Sequence, residues 1–276
     1  MKLSPRLKAV ASLVGNGYSV ADIGTDHAYI PIYLVKNKIS PYALAMDIND
    51  GPLKIAKTNV IEAGYEGIIE VRKSDGIINL ALDEVDSIVV AGMGGNLIEN
   101  ILLGNLQVVN GLKECILQPQ SEVRRLRSFL INNGFAFLNE DVVEDDGKFY
   151  FIMKVAPKGI SSKCNKLVSY KVKDTSGIDK TTGSKIWSLA ELAFGKHLLV
   201  SKNEILRKYL LKEKNIKTSI IIALDNEVEK LKKDTLLEIS KSNVETTRRI
   251  RNICIRKEEL LAELDLIKGG LLYYDM

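Results

Sequence analysis

The chain has 276 residues, 46% of them hydrophobic and 27% charged, which suits a folded protein of one large or two modest domains. No uninterrupted apolar run approaches the ~20 residues of a membrane span, and Met1-Lys2-Leu3-Ser4-Pro5-Arg6 carries no apolar signal core, so a cytoplasmic location without membrane association is expected. The net charge of +4 is uneven: residues 1–156 hold 15 basic and 19 acidic side chains, and residues 157–276 hold 24 and 16. A basic second half suits either an anionic macromolecule or a solvated lysine-rich helical surface. The cysteines, Cys115, Cys164 and Cys254, are widely scattered and the only histidines are His27 and His197, so neither a disulfide framework nor a metal site is expected.

In chain order, Leu3, Leu7, Val10, Ala11 and Val14 recur at helical spacing, and Ser4 followed by Pro5 is a helix start. A short apolar strand over 19–23 ends at Gly24, and a helix over 29–37 follows, with Pro31 in its first turn. A second strand over 42–46 meets Asp47, and Asn49 or Asp50 caps a helix over 52–64. A third strand covers 68–72 and runs into the polar turn Lys73-Ser74-Asp75-Gly76. A fourth covers 87–91 and ends in Gly92-Met93-Gly94-Gly95, with a helix over 96–102. A fifth covers 114–117 and ends in Gln118-Pro119-Gln120, with a helix over 123–132 closed by Gly134. Alternating strands and helices of this kind make βαβ units around a parallel sheet. The pattern then changes. Strands over 135–143 and 148–155 flank Glu144-Asp145-Asp146-Gly147, a hairpin signal.

Past Pro157 the composition shifts to Lys, Ser, Thr and Gly over 158–185, read as an irregular lead-in. A short helix over 186–194 ends at Gly195. Two long helical patterns follow, over 203–240 with a break near Asn215, and over 244–268 with Gly269-Gly270 as the stop. Their apolar seams are Leu206, Tyr209, Leu210, Ile216, Ile220, Leu224, Val228 and Leu231 on the first, and Ile250, Cys254, Leu261, Leu264 and Ile267 on the second. A turn at Ser242-Asn243 makes them an antiparallel, coiled-coil-like pair. The expected division is therefore an α/β domain over 1–157 and a basic helical domain over 158–276.

Polar and glycine residues gather at the carboxyl ends of the five parallel strands: Thr25, Asp26 and His27; Asp47; Asp75; Gly92 to Gly95; Gln118 and Pro119. Open α/β sheets bind ligands at that edge. The Gly24 turn alone leaves a nucleotide site and an ordinary strand–helix turn both open. An acid about 20 residues further on can hold the hydroxyls of a ribose, which fits a dinucleotide or S-adenosylmethionine. A pyrophosphate calls for several glycines, whereas Asp26 and His27 stand where they would be, and this favours the sulfonium donor. Asp75 is placed to recognise an adenine amino group, and the terminal hairpin suits a methyltransferase.

Asp22-Ile23-Gly24-Thr25-Asp26-His27-Ala28, Asp47, Gly92-Met93-Gly94-Gly95 and Leu117-Gln118-Pro119, with a coiled-coil-like tail, resemble the signatures of the bacterial tRNA (adenine-22-N1)-methyltransferases, the TrmK family. The resemblance implies a Rossmann-like class I methyltransferase fold, S-adenosyl-L-methionine as donor, and an adenine in the tRNA D-loop as acceptor. It implies donor contacts from Arg6, Asp22, Gly24, Thr25, Asp47, Ile48, Ser74, Asp75, Gly76, Gly92, Met93 and Gly94. Asp26 is expected to face the acceptor amine, with Asn59, His27 and Gln118 as orienting groups and Tyr29 as either a structural residue or a stacking partner. Arg248, Arg249, Arg251, Arg256 and Lys257 would grip phosphates. Asp26 has a second possible role as a cap of the next helix, and the basic run as a solvated or dimer face; a monomer is expected, with a dimer as the alternative. Another methyltransferase of this fold, or a non-catalytic RNA-binding protein, are the competing functions.

Overall fold

The computed structural model describes residues 3–157, 187–237 and 243–276, so the lead-in predicted over 158–185 and the Ser242 end of the predicted turn lie outside the described residues. The chain forms two compact units, Met1–Ser176 and Gly177–Met276. In the first, helix α1 (Pro5–Ser12) leads into β1 (Val20–Ile23), α2 (Tyr29–Lys36), β2 (Ala43–Asp47), α3 (Asp50–Ala63), β3 (Ile69–Lys73), β4 (Ser87–Gly94), α4 (Gly95–Gly104), α5 (Leu106–Gly111), β5 (Glu114–Ser121), α6 (Val123–Asn132), β6 (Ala136–Asp145) and β7 (Lys148–Ala156). The sheet order is β3-β2-β1-β4-β5-β7-β6. β1 to β5 pair in parallel, and β7 runs antiparallel to both β5 and β6.

Strand periodicity explains the layering. Ala21, Ile23, Leu44, Met46, Ile88, Val90, Cys115 and Leu117 face one core with Ile98, Leu102, Leu126 and Leu130 of α4 and α6. The alternate residues Val20, Val89, Ile116 and Ile152 pack with Val10, Ala11, Ile30 and Leu34 of α1 and α2, while Ala43 and Ala45 pack under Ala56 and Val60 of α3. Both faces are covered, so the central strands are largely apolar instead of alternating, with Asp22 of β1 and Gln118 of β5 as buried polar exceptions. The chain leaves β3 at one edge and returns to β4 on the other side of β1. Strand order therefore reverses between β1 and β4, the position where open α/β sheets form a ligand crevice.

Local signals explain many of the boundaries. Ser4 Oγ accepts the Leu7 N–H at 3.3 Å at the start of α1, and Pro5 opens the helix. Gly64 closes α3 in the left-handed conformation. Asp146 and Gly147 take φ of 50° and 72° in the β6–β7 turn, matching a primed hairpin turn. Two boundaries differ from expectation. β4 continues through Gly94 and β5 through Ser121, because the pairing resumes at Met93↔Pro119 and Gly94↔Ser121 after register shifts at Ala91/Met93 and Met93/Gly94. The Gly92-Met93-Gly94 segment is thus a bulged strand end and not a loop. Helix α5 was not anticipated; six residues are too few for helical periodicity to emerge.

The second unit contains α7 (Leu189–Phe194), α8 (Lys196–Val200), α9 (Glu204–Leu237) and α10 (Asn243–Asp275). Ser188 and Glu191 form a capping box on α7, and Asn203 Oδ1 accepts from the N–H groups of Ile205 and Leu206 at the start of α9. α8 follows Gly195 directly, so α7 does not end the short-helix region as predicted. α9 runs unbroken past Asn215. Arg249–Glu227 at 2.6 Å and Lys217–Glu263 at 2.7 Å show that α9 and α10 are antiparallel, as expected. The seam of α10 is Ile253, Leu260, Leu264 and Ile267. Cys254 is exposed and Leu261 is 40% exposed, so the predicted seam was set one residue off at those positions, about 100° around the helix. Ile216 and Ile220 of α9 are also exposed, and Lys217 lies between Glu213 and Glu263 there.

Gly269 and Gly270 do not stop α10, which continues to Asp275. They serve close packing instead. A Cβ on Gly270 would lie 3.0 Å from Phe194 Cδ2 and 3.2 Å from Leu210 Cδ1, and one on Gly269 would lie 3.7 Å from Ala190 Cβ. Helices α7 and α9 lie against α10 where it has no side chain, and the contact offsets the low helix propensity of glycine.

Candidate active site at the carboxyl edge of the sheet

Four strand ends build the centre of the edge. Gly24 follows β1 with φ +72°, and its N–H and that of Thr25 both donate to the Met46 carbonyl, at 2.8 and 2.9 Å. This fixes the turn against β2. The positive φ of Gly24 is what calls for glycine here; a Cβ would meet only the flexible tip of the Met93 side chain of β4. At the end of β2, Asp47 Oδ1 accepts the Asn49 N–H at 2.8 Å, which orients the carboxylate. The neighbouring Ile48 is 51% exposed. Ser74 N–H donates to the Asp47 carbonyl at 2.9 Å, and its buried hydroxyl donates to the Gly76 carbonyl and accepts from the Asn79 N–H. That shapes the turn carrying exposed Asp75.

Asp22 is buried inside β1, and its Oδ2 accepts from the Thr25 hydroxyl at 2.7 Å. Burial pushes its carboxyl up to about 7, Thr25 opposes that shift, and the nearby charge of Asp47 adds to it. The folded value lies above the 3.8 of an ordinary aspartate. Asp22 therefore contributes stability that is complete below 3.8 and is lost as pH rises through about 7. At about 1.4 kcal/mol per unit, the swing is on the order of 4 kcal/mol. Denaturant unfolding of the ligand-free protein is expected to show a loss of stability between these pH values that is much reduced in Asp22→Asn. Parallel pH profiles for the two proteins would refute the assignment.

Asp26 and His27 lie between Gly24 and α2. Asp26 and Ala28 both have positive φ, 52° and 58°, uncommon for residues with a Cβ. Ala28 is the N-cap of α2, which has no side-chain cap, so Asp26 does not cap that helix. Its side chain is 70% exposed and points its Oδ2 at His27 Nε2, 3.4 Å away. His27 Nδ1 is buried without a hydrogen-bond partner among the described residues. Asn59 of α3 donates from Nδ2 to the His27 carbonyl at 2.9 Å, bracing the strained turn. Tyr29 is 36% exposed, with its ring centroid 5.2 Å from that of His27.

Gln118 has a different environment from the one sequence suggested. It is completely buried in β5; its Oε1 accepts from Arg6 Nη1 at 2.9 Å and from the Gly92 N–H at 3.2 Å, and its Nε2 donates to the Pro119 carbonyl. It is engaged within the fold and braces Gly92. Arg6 is held in turn by the hairpin: its backbone N–H donates to Asp145 Oδ2 at 3.1 Å, and its guanidinium lies 5.4 Å from the Tyr150 ring centroid. Nothing in the sequence linked Asp145 or Tyr150 to Arg6, some 140 residues away. Glu122 is a further unanticipated support: its Oε2 accepts the Asn96 N–H at the start of α4.

In the second unit, Arg249 pairs with Glu227, Arg256 with Glu259 and Lys257 with Asp225. Arg248 and Arg251 are exposed, with no ion pair among the described residues. The antiparallel register also brings Lys230, Lys232 and Lys233 of α9 to the same end of the helix pair as Arg248 and Arg251, a grouping that neither helix shows in sequence. Among the described residues there is no cluster of His, Cys, Asp and Glu able to hold a metal ion, and no helix is long and apolar enough to cross a membrane.

The first unit fits an adenosyl sulfonium donor on its own geometry. Asp47 presents an oriented carboxylate with a second oxygen that has no hydrogen bond among the described residues, next to an exposed apolar residue and a positive-φ glycine turn. A family profile described as a methyltransferase domain matches residues 3–153. The tRNA (adenine(22)-N(1))-methyltransferase of Bacillus subtilis is 40% identical over 153 residues; this alignment covers 55% of the chain and 64% of the relative, so the chain spans less than two thirds of that protein. Several solved structures match over 98% of the chain. An uncharacterized protein from Listeria monocytogenes is 31% identical with a TM-score of 0.72, covered over 100% of its length. The Bacillus subtilis m1A22 tRNA methyltransferase TrmK is 28% identical with a TM-score of 0.67, covered over 99%. A putative tRNA (m1A22) methyltransferase from Streptococcus pneumoniae, in complex with S-adenosyl-L-methionine, is 27% identical with a TM-score of 0.67, covered over 100%. The chain belongs to the methyltransferase-domain family.

Proposed function

We propose that the protein is an S-adenosylmethionine-dependent methyltransferase acting on N1 of adenine 22 in the tRNA D-loop, with a donor-binding domain over 1–157 and a basic helical domain over 158–276. The observation that carries this reading is the convergence of Gly24, Asp47, Ser74 to Gly76 and Gly92 to Gly94 on one sheet edge, with the strained Asp26-His27 turn in its centre. The relatives named above support the acceptor.

S-adenosylmethionine supplies a methyl group already activated by its sulfonium. The protein's task is therefore positioning and charge stabilisation. Asp47 holds the ribose hydroxyls, Ile48 covers one face of the donor adenine, and Asp75 accepts from its amino group. Gly24 and the Gly92 bulge let the backbone approach closely, with Thr25 and Asp22 beneath. On the acceptor side, N1 lies on the pairing edge, so the adenine must be unpaired to enter. Tyr29 stacks on it. Asp26 accepts from its exocyclic amine and stabilises the positive charge that N1-methylation leaves on the base. His27 and Asn59 keep Asp26 aimed. Arg248, Arg249, Arg251, Arg256 and Lys257 contact phosphates.

The test is to map the modified nucleotide in tRNA transcripts after reaction with labelled donor. Label is expected at adenine 22 and is expected to vanish when that adenine is replaced by guanine. Methylation that survives the replacement would overturn the assigned target.

A further inference from the structure

Gly92 is the point where the β4–β5 ladder breaks. Ala91 pairs with Gln118 and Met93 with Pro119, so Gly92 is the extra residue between them. Such a residue loses its ladder partner, and its φ of +80° turns it out of the strand conformation. Its N–H is recaptured by a side chain: Gln118 Oε1 accepts it at 3.2 Å, and the same oxygen accepts from Arg6 Nη1 at 2.9 Å. A Cβ on Gly92 would lie 3.4 Å from Arg6 Nη1 and 3.5 Å from Gln120 Nε2. Side chains of α1 and β5 thus lie within ordinary contact distance of the bulge.

We propose that Gln118 and Arg6 form a positioning pair that holds the Gly92 bulge in the shape the methyl donor requires, so that donor affinity is set from helix α1 and the β6–β7 hairpin. The pair rests on the donor site described above and deepens it. Gln118 has no exposed surface from which to reach the base, so its influence on the reaction passes through Gly92. The guanidinium matters because its charge-assisted bond fixes the rotamer and position of the amide oxygen that also accepts the Gly92 N–H. Arg6 is itself fixed by Asp145 and by the Tyr150 ring, which extends the link from the donor edge to the hairpin at the far side of the sheet.

The discriminating experiment measures donor affinity by calorimetry, and steady-state kinetics with tRNA, for wild type, Arg6→Ala and Gln118→Met. The second change conserves volume while removing the acceptor, which guards against a folding defect in either variant alone. Loss of a charged hydrogen bond is expected to raise the donor Kd and KM by about tenfold in both variants. The expected kcat at saturating donor stays within about twofold of wild type, with the KM for tRNA unchanged. Millimolar methylguanidinium is expected to restore donor affinity in Arg6→Ala and to have no effect on Gln118→Met. A merely structural role would lower the unfolding temperature without rescue or selectivity for donor KM. That pattern would overturn the proposal, as would a fall in kcat with donor KM intact, or wild-type donor affinity in both variants. Absence of donor binding to the wild-type protein is a distinct outcome that sinks the methyltransferase reading itself, and this inference with it.

Discussion

Asp47→Ala is expected to raise the dissociation constant for S-adenosylmethionine by about 100-fold or more in calorimetry, with little change in fold stability. A carboxylate that accepts both hydroxyls of a ribose makes two charged hydrogen bonds, each worth roughly 1.5–3 kcal/mol, and about 1.4 kcal/mol corresponds to a factor of ten. The structure favours the upper end, because the Asn49 N–H already orients Oδ1 at 2.8 Å and little side-chain freedom remains to be lost on binding. Stability is expected to hold, since that is the only hydrogen bond the carboxylate makes among the described residues. A second consequence follows for Asp22. The charge of Asp47 is one of the causes holding its carboxyl up near 7, so the pH-dependent loss of stability is expected at lower pH in the variant. Unaltered donor affinity in Asp47→Ala would refute the ribose contact.

Asp26→Asn is expected to lower kcat by about 100-fold while leaving donor affinity within about twofold of wild type. Asparagine keeps the size of the side chain and tolerates the left-handed conformation that Asp26 adopts at φ 52°. The turn, and the Asn59 bond to the His27 carbonyl at 2.9 Å, should survive. Only the negative charge is lost. In the ligand-free protein that charge is largely in solvent and has little effect on the fold. Beneath a bound base, with water displaced, it faces the charge that methylation creates, and there its influence is large. Single-turnover kinetics at saturating donor and tRNA separate the chemical step from binding. A variant with wild-type kcat would show that Asp26 is not near the reacting base, and a variant with lost donor binding would show that it belongs to the donor side.

The site was legible in unequal parts. Gly24, Asp47 and the turn at Ser74-Asp75-Gly76 could be found because each sits at a strand end, and strand ends are marked locally by an apolar run that stops at a polar or glycine residue. The glycines at Gly92 to Gly94 were equally visible, but their form was not. Whether such a segment leaves the sheet or continues it as a bulge depends on what pairs with it, and the partner, Met93↔Pro119, comes from another strand. Gln118 shows the same limit. A glutamine at a strand end has the right chemistry to orient a base, yet two neighbours in space, Arg6 and Gly92, occupy its oxygen.

The sequence by itself determined the alternation of strands and helices, the closing hairpin, the edge on which the chemistry gathers and the antiparallel pairing of two long helices. Periodicity, capping residues and turn residues act over a few positions, and the chain cannot satisfy them otherwise. Only the tertiary structure decided that Gly269-Gly270 lies inside a helix, because its reason is the approach of Phe194 and Leu210. Long-range packing likewise decided that Asp22 is a buried carboxyl titrating near neutrality, with Asp47 beside it. It also decided that Arg6 and Gln118, 112 residues apart in the chain, share one bond at the Gly92 bulge. Glycine propensity, carboxylate ionisation and amide bonding are fixed by chemistry; which of their possible outcomes occurs depends on neighbours that the fold alone brings together.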